Sequence, residues 1–402
     1  MIPLIGGSAM GCHQATGKKP LGHLSYSPFK KNDSHLVNYW DDVPYYNIDI
    51  DDTIHLPREV DFVNSVCPCA GLSMLNSGGS SNSEKGRGSD AIQNQWMYKS
   101  AEWILDAVQP KVLWGENAPG LFTKIGEGVV EKLKKIAKEY DYSFSLYKTN
   151  TELHGIPQRR IRTFYFFWKS PTVPMLEYIS KDCKSLEEYL KLIPKNATQQ
   201  DISILPGKVT ELFRPYDFIL RKEKITHEQF TEKIGKGTLF NYLIDNKLLD
   251  ECIDWLKINY PNEGFSKRGD KKNTFIDNLE HIKKKLNMGL GFWDSSPHFF
   301  SHSYNALIAR NMVNGVHPTE NRYLNLREMI HLMGMPNDFE LDDIKNINHI
   351  AQNVPVTTAK DMTVQVMKFL NNELKMTDYD FMKVDNVSRR IVASNKRQLK
   401  LF

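Results

Sequence analysis

Between Ile2 and Trp168 short apolar runs alternate with helix-like stretches, and several of the runs end on glycine, proline or an acid. Ile2-Pro3-Leu4-Ile5 stops at Gly6-Gly7, and Tyr45 to Ile50 stops at acids. Val60-Asp61-Phe62-Val63 leads to Cys67-Pro68-Cys69, and Val112-Leu113-Trp114 stops at Gly115-Glu116. Strand, turn and helix in alternation are the rhythm of an α/β fold. The helices fall between them. Gln95 to Val108 carries Trp96, Trp103, Ile104 and Ala107 at helical spacing, and Gly128 to Tyr140 precedes the very apolar Thr163 to Trp168, read as one more βαβ unit.

A chain of 402 residues, 41% hydrophobic, exceeds one ordinary domain, so two lobes are expected. A net charge of +4 permits a polyanionic partner without requiring one. Five cysteines (Cys12, Cys67, Cys69, Cys183, Cys252) without CxxC spacing argue against a disulfide scaffold and a structural zinc, and for a reducing compartment. No stretch approaches the roughly 18 to 20 apolar residues of a membrane span, and Met1 to Met10 has no basic leader. From about Ser170 to Val316 the texture turns lysine-rich without βαβ alternation, which marks a second domain. Leu326 to Gly334 and Thr357 to Leu370 then read as helices, and the basic Ser388 to Phe402 as a fraying end.

In an open parallel sheet, ligands bind beyond the carboxyl ends of the strands, so the residues after each apolar run carry the chemistry. Gly6-Gly7-Ser8-Ala9-Met10-Gly11 suits close backbone approach by a nucleotide-like ligand, or is simply a tight turn. Cys69 stands before a mobile Gly/Ser-rich loop (Ser77 to Gly88), as a usable thiolate or a buried structural thiol. Cys67 reads as structural. Glu116 is a carboxylate at a partly desolvated strand end, where its pKa rises, or a helix N-cap. Arg160 and Arg162 share one side of a strand entry, placed to brace a carboxylate or grip phosphate.

Cysteine, glutamate and paired arginine at successive strand ends resemble the DNA cytosine-5 methyltransferase family. Pro68-Cys69 with Ser73 looks like its nucleophile motif, Glu116-Asn117-Ala118-Pro119-Gly120-Leu121 its ENV motif, and Gln158-Arg159-Arg160-Ile161-Arg162 its QxRxR motif. His317-Pro318 with Arg322 to Glu328, and Ala351-Gln352-Asn353-Val354-Pro355, resemble its closing segments. The chain departs from the family where Leu4 replaces a glycine, Tyr26 the acid facing the cofactor ribose, Ala70 a glutamine, and Ala351-Gln352 a Gly-Asn pair.

The resemblance implies a Rossmann-like S-adenosylmethionine-dependent methyltransferase sheet with a second, smaller target-recognition domain. Residues 1–170 would form the catalytic and cofactor-binding domain, 171–316 the recognition domain, 317–370 a return segment and 371–402 an extension. Cys69 would add to cytosine C6 while Glu116 acts at N3, with Arg160 bracing Glu116 and the base's O2, and Arg162 beside it. Gly6, Gly7, Tyr26, Asp49, Ile50, Pro68, Gln352 and Asn353 would hold S-adenosylmethionine. Ser73, Arg87, Gln158, Lys267, Arg268, Lys271 and Lys272 would meet double-stranded DNA, and Lys283-Lys284-Lys285, with Phe265, Phe275, Phe292 and Trp293 nearby, would contact phosphate or form a solvated face. A flipped base, a closing loop, no metal and a monomer in a bacterial or phage-infected cytoplasm complete the expectation. A non-catalytic DNA-binding relative, a tRNA-methylating member and transfer of another group from a modified cofactor are the alternatives.

Overall fold

The structure is a computed structural model describing residues 5–26, 34–48, 60–67, 70–73, 92–266, 272–292, 294–308, 314–341, 347–393 and 398–399. The chain divides into two compact units, Met1–Cys183 with Leu332–Phe402, and Lys184–His331. The first holds α1 (Gly7–Thr16), β1 (His23–Tyr26), β2 (Tyr45–Ile48), β3 (Phe62–Val66), α2 (Ile92–Ala107), β4 (Val112–Asn117), α3 (Glu127–Glu139), β5 (Ser143–Asn150) and β6 (Ile161–Trp168). After the second unit it resumes with α4 (Val356–Leu370), β7 (Phe381–Asp385), β8 (Arg390–Ala393) and β9 (Gln398–Leu399).

Among the described residues the central sheet runs β9-β8-β7-β5-β6-β4-β3. Strands β3, β4, β5 and β7 are parallel, and β6 is antiparallel between β4 and β5. Strand β6 can sit there because both its faces are apolar. Phe164, Phe166 and Trp168 pack with Trp114 on one face, while Tyr165 and Phe167 join Phe144 and Leu113 on the other. Helix α3 covers the second face with Val129, Val130, Leu133 and Ile136. On the first, α1 meets α4 at close range: a Cβ on Gly11 would overlap Ala359, and one on Gly7 would overlap the Val354 carbonyl.

Three expectations need correction. The sheet is mixed, and Thr163 to Trp168 does not follow helix Gly128 to Tyr140 directly. Strand β5 lies between them, its serines at 143 and 145 facing inward and diluting the apolar signal. Residues 371–402 are no separate extension. Phe381, Val384 and Ile391 are buried, β7 pairs with β5, and Arg390–Ala393 does not fray but pairs with β7.

The domain limits of 170/171 and 316/317 also move. Residues 171–183 stay with the first unit, because Val173 N–H donates to the Tyr379 carbonyl (2.8 Å) and Met175 N–H to that of Lys375 (2.9 Å). Residues 317–331 belong to the second unit. Tyr323 shares its core with Tyr216, Leu326 N–H bonds the Ile202 carbonyl at 3.0 Å, and the Arg327 guanidinium Nε donates to the Thr198 carbonyl at 2.6 Å. The helix read as Leu326 to Gly334 closes at His331, ahead of Gly334 in a left-handed conformation (φ 69°).

The second unit is mainly helical, around Phe213, Tyr216, Phe230, Leu243, Leu256 and Phe299. Its helices start where the sequence supplies caps: Thr226 with Gln229, and Thr274 with Asp277, form reciprocal capping boxes. The short strands Lys236–Thr238 and His298–Phe300 pair antiparallel.

Candidate active site

Strand β4 is buried along its whole length and ends on Glu116 and Asn117. Asn117 Oδ1 accepts from the Ala118 N–H (2.8 Å), turning the chain into the Pro119–Phe122 turn. Beside it runs β3 in parallel register, with Val66 opposite Glu116. The turn Ala70–Leu72 that follows β3 is locked onto the same spot. Leu72 joins the core with Ala118 and Leu121, and a Cβ on Gly120 would overlap the Leu72 carbonyl. Glycine at 120 is what lets the two turns touch.

Glu116 is 3% exposed. Arg162 Nε lies 2.7 Å from its Oε1, off the line of a straight hydrogen bond. Burial pushes the Glu116 carboxyl above its ordinary value, and Arg162 and Arg160 pull it down without cancelling that rise. The group is therefore a proton donor poised above the usual carboxylate range.

Strand register decides which arginine meets it. Glu116 is opposite Phe164 in register, and Arg162, two residues earlier, is its diagonal neighbour on the same face. Arg162, expected beside Arg160, is the arginine that pairs with Glu116 at close range, and the charge of Arg160 also acts on the carboxyl. Arg160 is buried, and its Nη2 donates to the Asn353 carbonyl at 2.8 Å. Gln158 is corrected as a DNA contact. Its side chain is fully buried, and Nε2 donates to the Leu332 carbonyl at 2.7 Å, so no nucleic acid can reach it.

Asn353 joins these parts. Its Oδ1 accepts from the Gly7 N–H (2.9 Å), its Nδ2 faces Met335 Sδ (3.4 Å), and its carbonyl holds Arg160. It thereby ties the glycine turn to the strand entry that carries the arginines. Gly6 takes the left-handed conformation (φ 96°) at the start of α1, so the first N–H of that helix, on Gly7, is capped from afar by Asn353. Gln352 is exposed at the end of the short helix Asn348–Gln352, and Ser73 is half-buried after the Ala70–Leu72 turn.

Asp49, Ile50, Pro68, Cys69, Arg87, Lys267, Arg268 and Lys271 lie outside the described residues, as do the side chains of Tyr26 and Lys272 and the loop from 77 to 88. Cys67 is buried, with Sγ 3.4 Å from Ser100 Oγ, in keeping with a structural thiol. Phe275 is a core residue and Lys283 pairs with Asp250 (2.5 Å), so neither is spare for a phosphate.

The sequence reading missed a second buried polar cluster, at the end of β5. Asn386 Nδ2 donates to Thr149 Oγ1 (3.0 Å), Thr149 Oγ1 meets His154 Nε2 (2.8 Å), and His154 Nδ1 meets Asp361 Oδ2 (2.8 Å). Lys181 Nζ holds the other Asp361 oxygen at 2.6 Å. Burial lowers the His154 pKa, so its neutral ring donates to Asp361 and accepts from Thr149. The one local signal was His154 standing directly before Gly155-Ile156-Pro157-Gln158.

A prophage-encoded E. coli protein assigned as a DNA modification methyltransferase has a similar fold: TM-score 0.54, 14% identity, 92% of this chain and 98% of that one covered. A methyltransferase of Entamoeba histolytica aligns at TM-score 0.48 and 12% identity, covering 92% and 97%. At these identities the first speaks for the fold alone. No curated protein sequence matches the chain. The sequence does match the family model for C-5 cytosine-specific DNA methylases over residues 5–368. With a methyltransferase sheet and the Glu116–Arg162 pair at its carboxyl edge, the chain belongs to the C-5 cytosine-specific DNA methylase family and is a DNA cytosine methyltransferase.

Proposed function

We propose that this enzyme acts on a cytosine turned out of duplex DNA, through a bond between Cys69 sulfur and C6 of the base. One observation carries the reading. Val66 stands opposite the buried Glu116, and Cys69 follows three residues after Val66.

Cytosine C5 is a poor nucleophile until a thiolate adds at C6. Addition puts negative charge on the ring, and Glu116 neutralises it by giving its proton to N3. Arg162 keeps the Glu116 carboxyl aimed and leaves guanidinium N–H groups for O2. A carboxyl this buried cannot meet a stacked base, so the target nucleotide must leave the helix. Loss of the C5 proton and departure of the Cys69 thiolate then restore the ring.

The family normally uses S-adenosylmethionine, and the residues present fit it. Helix α1 opens on a left-handed glycine with its first N–H held by Asn353, and the N–H groups that follow in its first turn suit a carboxylate. Gly6 and Gly7 would line the cofactor site, with Tyr26, Asp49, Ile50, Pro68 and Gln352 around it. When bound, it supplies the methyl group. Asn353 shapes the glycine turn from behind. The second unit would read the target sequence, with Ser73, Arg87, Lys267, Arg268, Lys271 and Lys272 on the duplex.

The test is a covalent trap. Duplex DNA made with 5-fluorocytosine throughout is incubated with enzyme and S-adenosylmethionine, then denatured. Wild type and Cys67→Ser should stay attached to DNA, and Cys69→Ser should not. A denaturant-stable complex with Cys69→Ser would remove Cys69 as the nucleophile.

A further inference from the structure

The family match ends at residue 368, yet the chain goes on to build β7 and β8 onto the sheet. We propose that the turn joining them, through Arg389 and Arg390, grips the phosphate backbone of the substrate duplex to one side of the flipped base. The inference rests on the reading of duplex DNA as substrate, and adds a contact surface to it.

Placement is the first argument. Glu116 pairs with Phe164, Phe164 with Tyr147, and Tyr147 with Val384, so Val384 lies in the same row across the sheet as the catalytic carboxylate. Strand β7 runs parallel to β4, and the turn after Asp385 therefore emerges on the reaction edge. Three strand spacings separate Glu116 from Val384, about 14 Å. That is roughly four base pairs along a duplex at 3.4 Å each.

Charge is the second. Arg389 and Arg390 are exposed and make no ion pair among the described residues, whereas nearby Lys148 and Lys181 are paired with Asp385 and Asp361. No acidic residue follows Asp385 in the sequence. The turn is also held firmly. Asp385 Oδ1 accepts from Val387 and Ser388 N–H at 3.1 Å each. Asn386 is bonded to Ile179 N–H and carbonyl and to Thr149. Two unpaired guanidinium groups on a rigid turn at the reaction edge fit a polyanion better than a solvated loop.

Phosphate contacts are read by salt. Each one lost reduces the slope of log affinity against log salt by about 0.9. For Arg389→Ala with Arg390→Ala, the slope should fall by about 1.8, equally on any duplex sequence. Wild type would then lose roughly tenfold more affinity than the variant between 50 and 200 mM salt. Fluorescence anisotropy on unrelated duplexes measures this, thermal melting checks folding, and Arg389→Lys with Arg390→Lys should keep the slope. An unchanged slope in a folded alanine variant overturns the contact while leaving the methyltransferase reading intact. A loss confined to one duplex sequence would instead make the turn a base reader and also overturn it. Absence of duplex binding by wild type would overturn both.

Discussion

Two buried carboxylates in the first unit each have two basic neighbours, yet they are pushed in opposite directions. Glu116, at the end of β4, sits above its ordinary value because burial outweighs Arg162 and Arg160. Asp361, on α4, is also raised by burial, but hydrogen bonds from His154 and Lys181 outweigh it and hold it below its ordinary value. Both Asp361 oxygens are engaged, at 2.8 and 2.6 Å. At Glu116 Oε1 the single close cation is off-axis. At each acid the direction is set by the balance between burial and the hydrogen bonds and charges of its basic neighbours. One arrangement biases its carboxyl toward the protonated form, and the other fastens a helix to a strand end.

The comparison breaks or sharpens by substitution. Glu116→Gln should reduce single-turnover methylation by roughly 10²- to 10⁴-fold with duplex affinity retained. Turnover near wild type would make Glu116 a structural acid like Asp361. Asp361→Asn should do the reverse, costing about 3 kcal/mol in urea unfolding because Lys181 and His154 lose a buried partner. A loss of turnover matching that of Glu116→Gln, without loss of stability, would break the contrast.

The two acids also carry opposite pH signs. Glu116, raised above 4.5, contributes stability that is whole below that pH and lost as pH rises through its folded value. Asp361, held below 3.8, contributes stability that is whole above that pH and lost as pH falls. The wild-type advantage over Glu116→Gln should therefore shrink from pH 4.5 upward, and the advantage over Asp361→Asn should shrink below about pH 4; parallel trends would contradict the assignment. Lys181→Met should have the smallest effect, about 0.5 kcal/mol, since the lysine is half in solvent. A loss as large as that of Asp361→Asn would mean that the lysine, not the histidine, holds the aspartate.

Glu116 and the arginine pair were legible because polar residues that interrupt an apolar run stand at a strand end, where a parallel sheet concentrates chemistry. Their division of labour was not. Arg160 and Arg162 share one face, and only the register with β4 shows that Arg162 reaches Glu116. Gln158 looked available for DNA because its acceptor, the Leu332 carbonyl, lies 174 residues away. Asp361 and His154 are 207 residues apart and share no motif. Strand β5 was hidden by its inward serines, and β8 by the basic residues beside it.

The bond from Gly7 N–H to Asn353 spans 346 positions of sequence. A ribosome adding roughly 5–20 residues per second needs about 20–70 s between making those two residues. During that interval a nascent chain gains its glycine turn and its arginines but not the asparagine that braces the one and binds Arg160. The turn and the strand entry are thus joined late, and a chain interrupted before Asn353 lacks the brace between them.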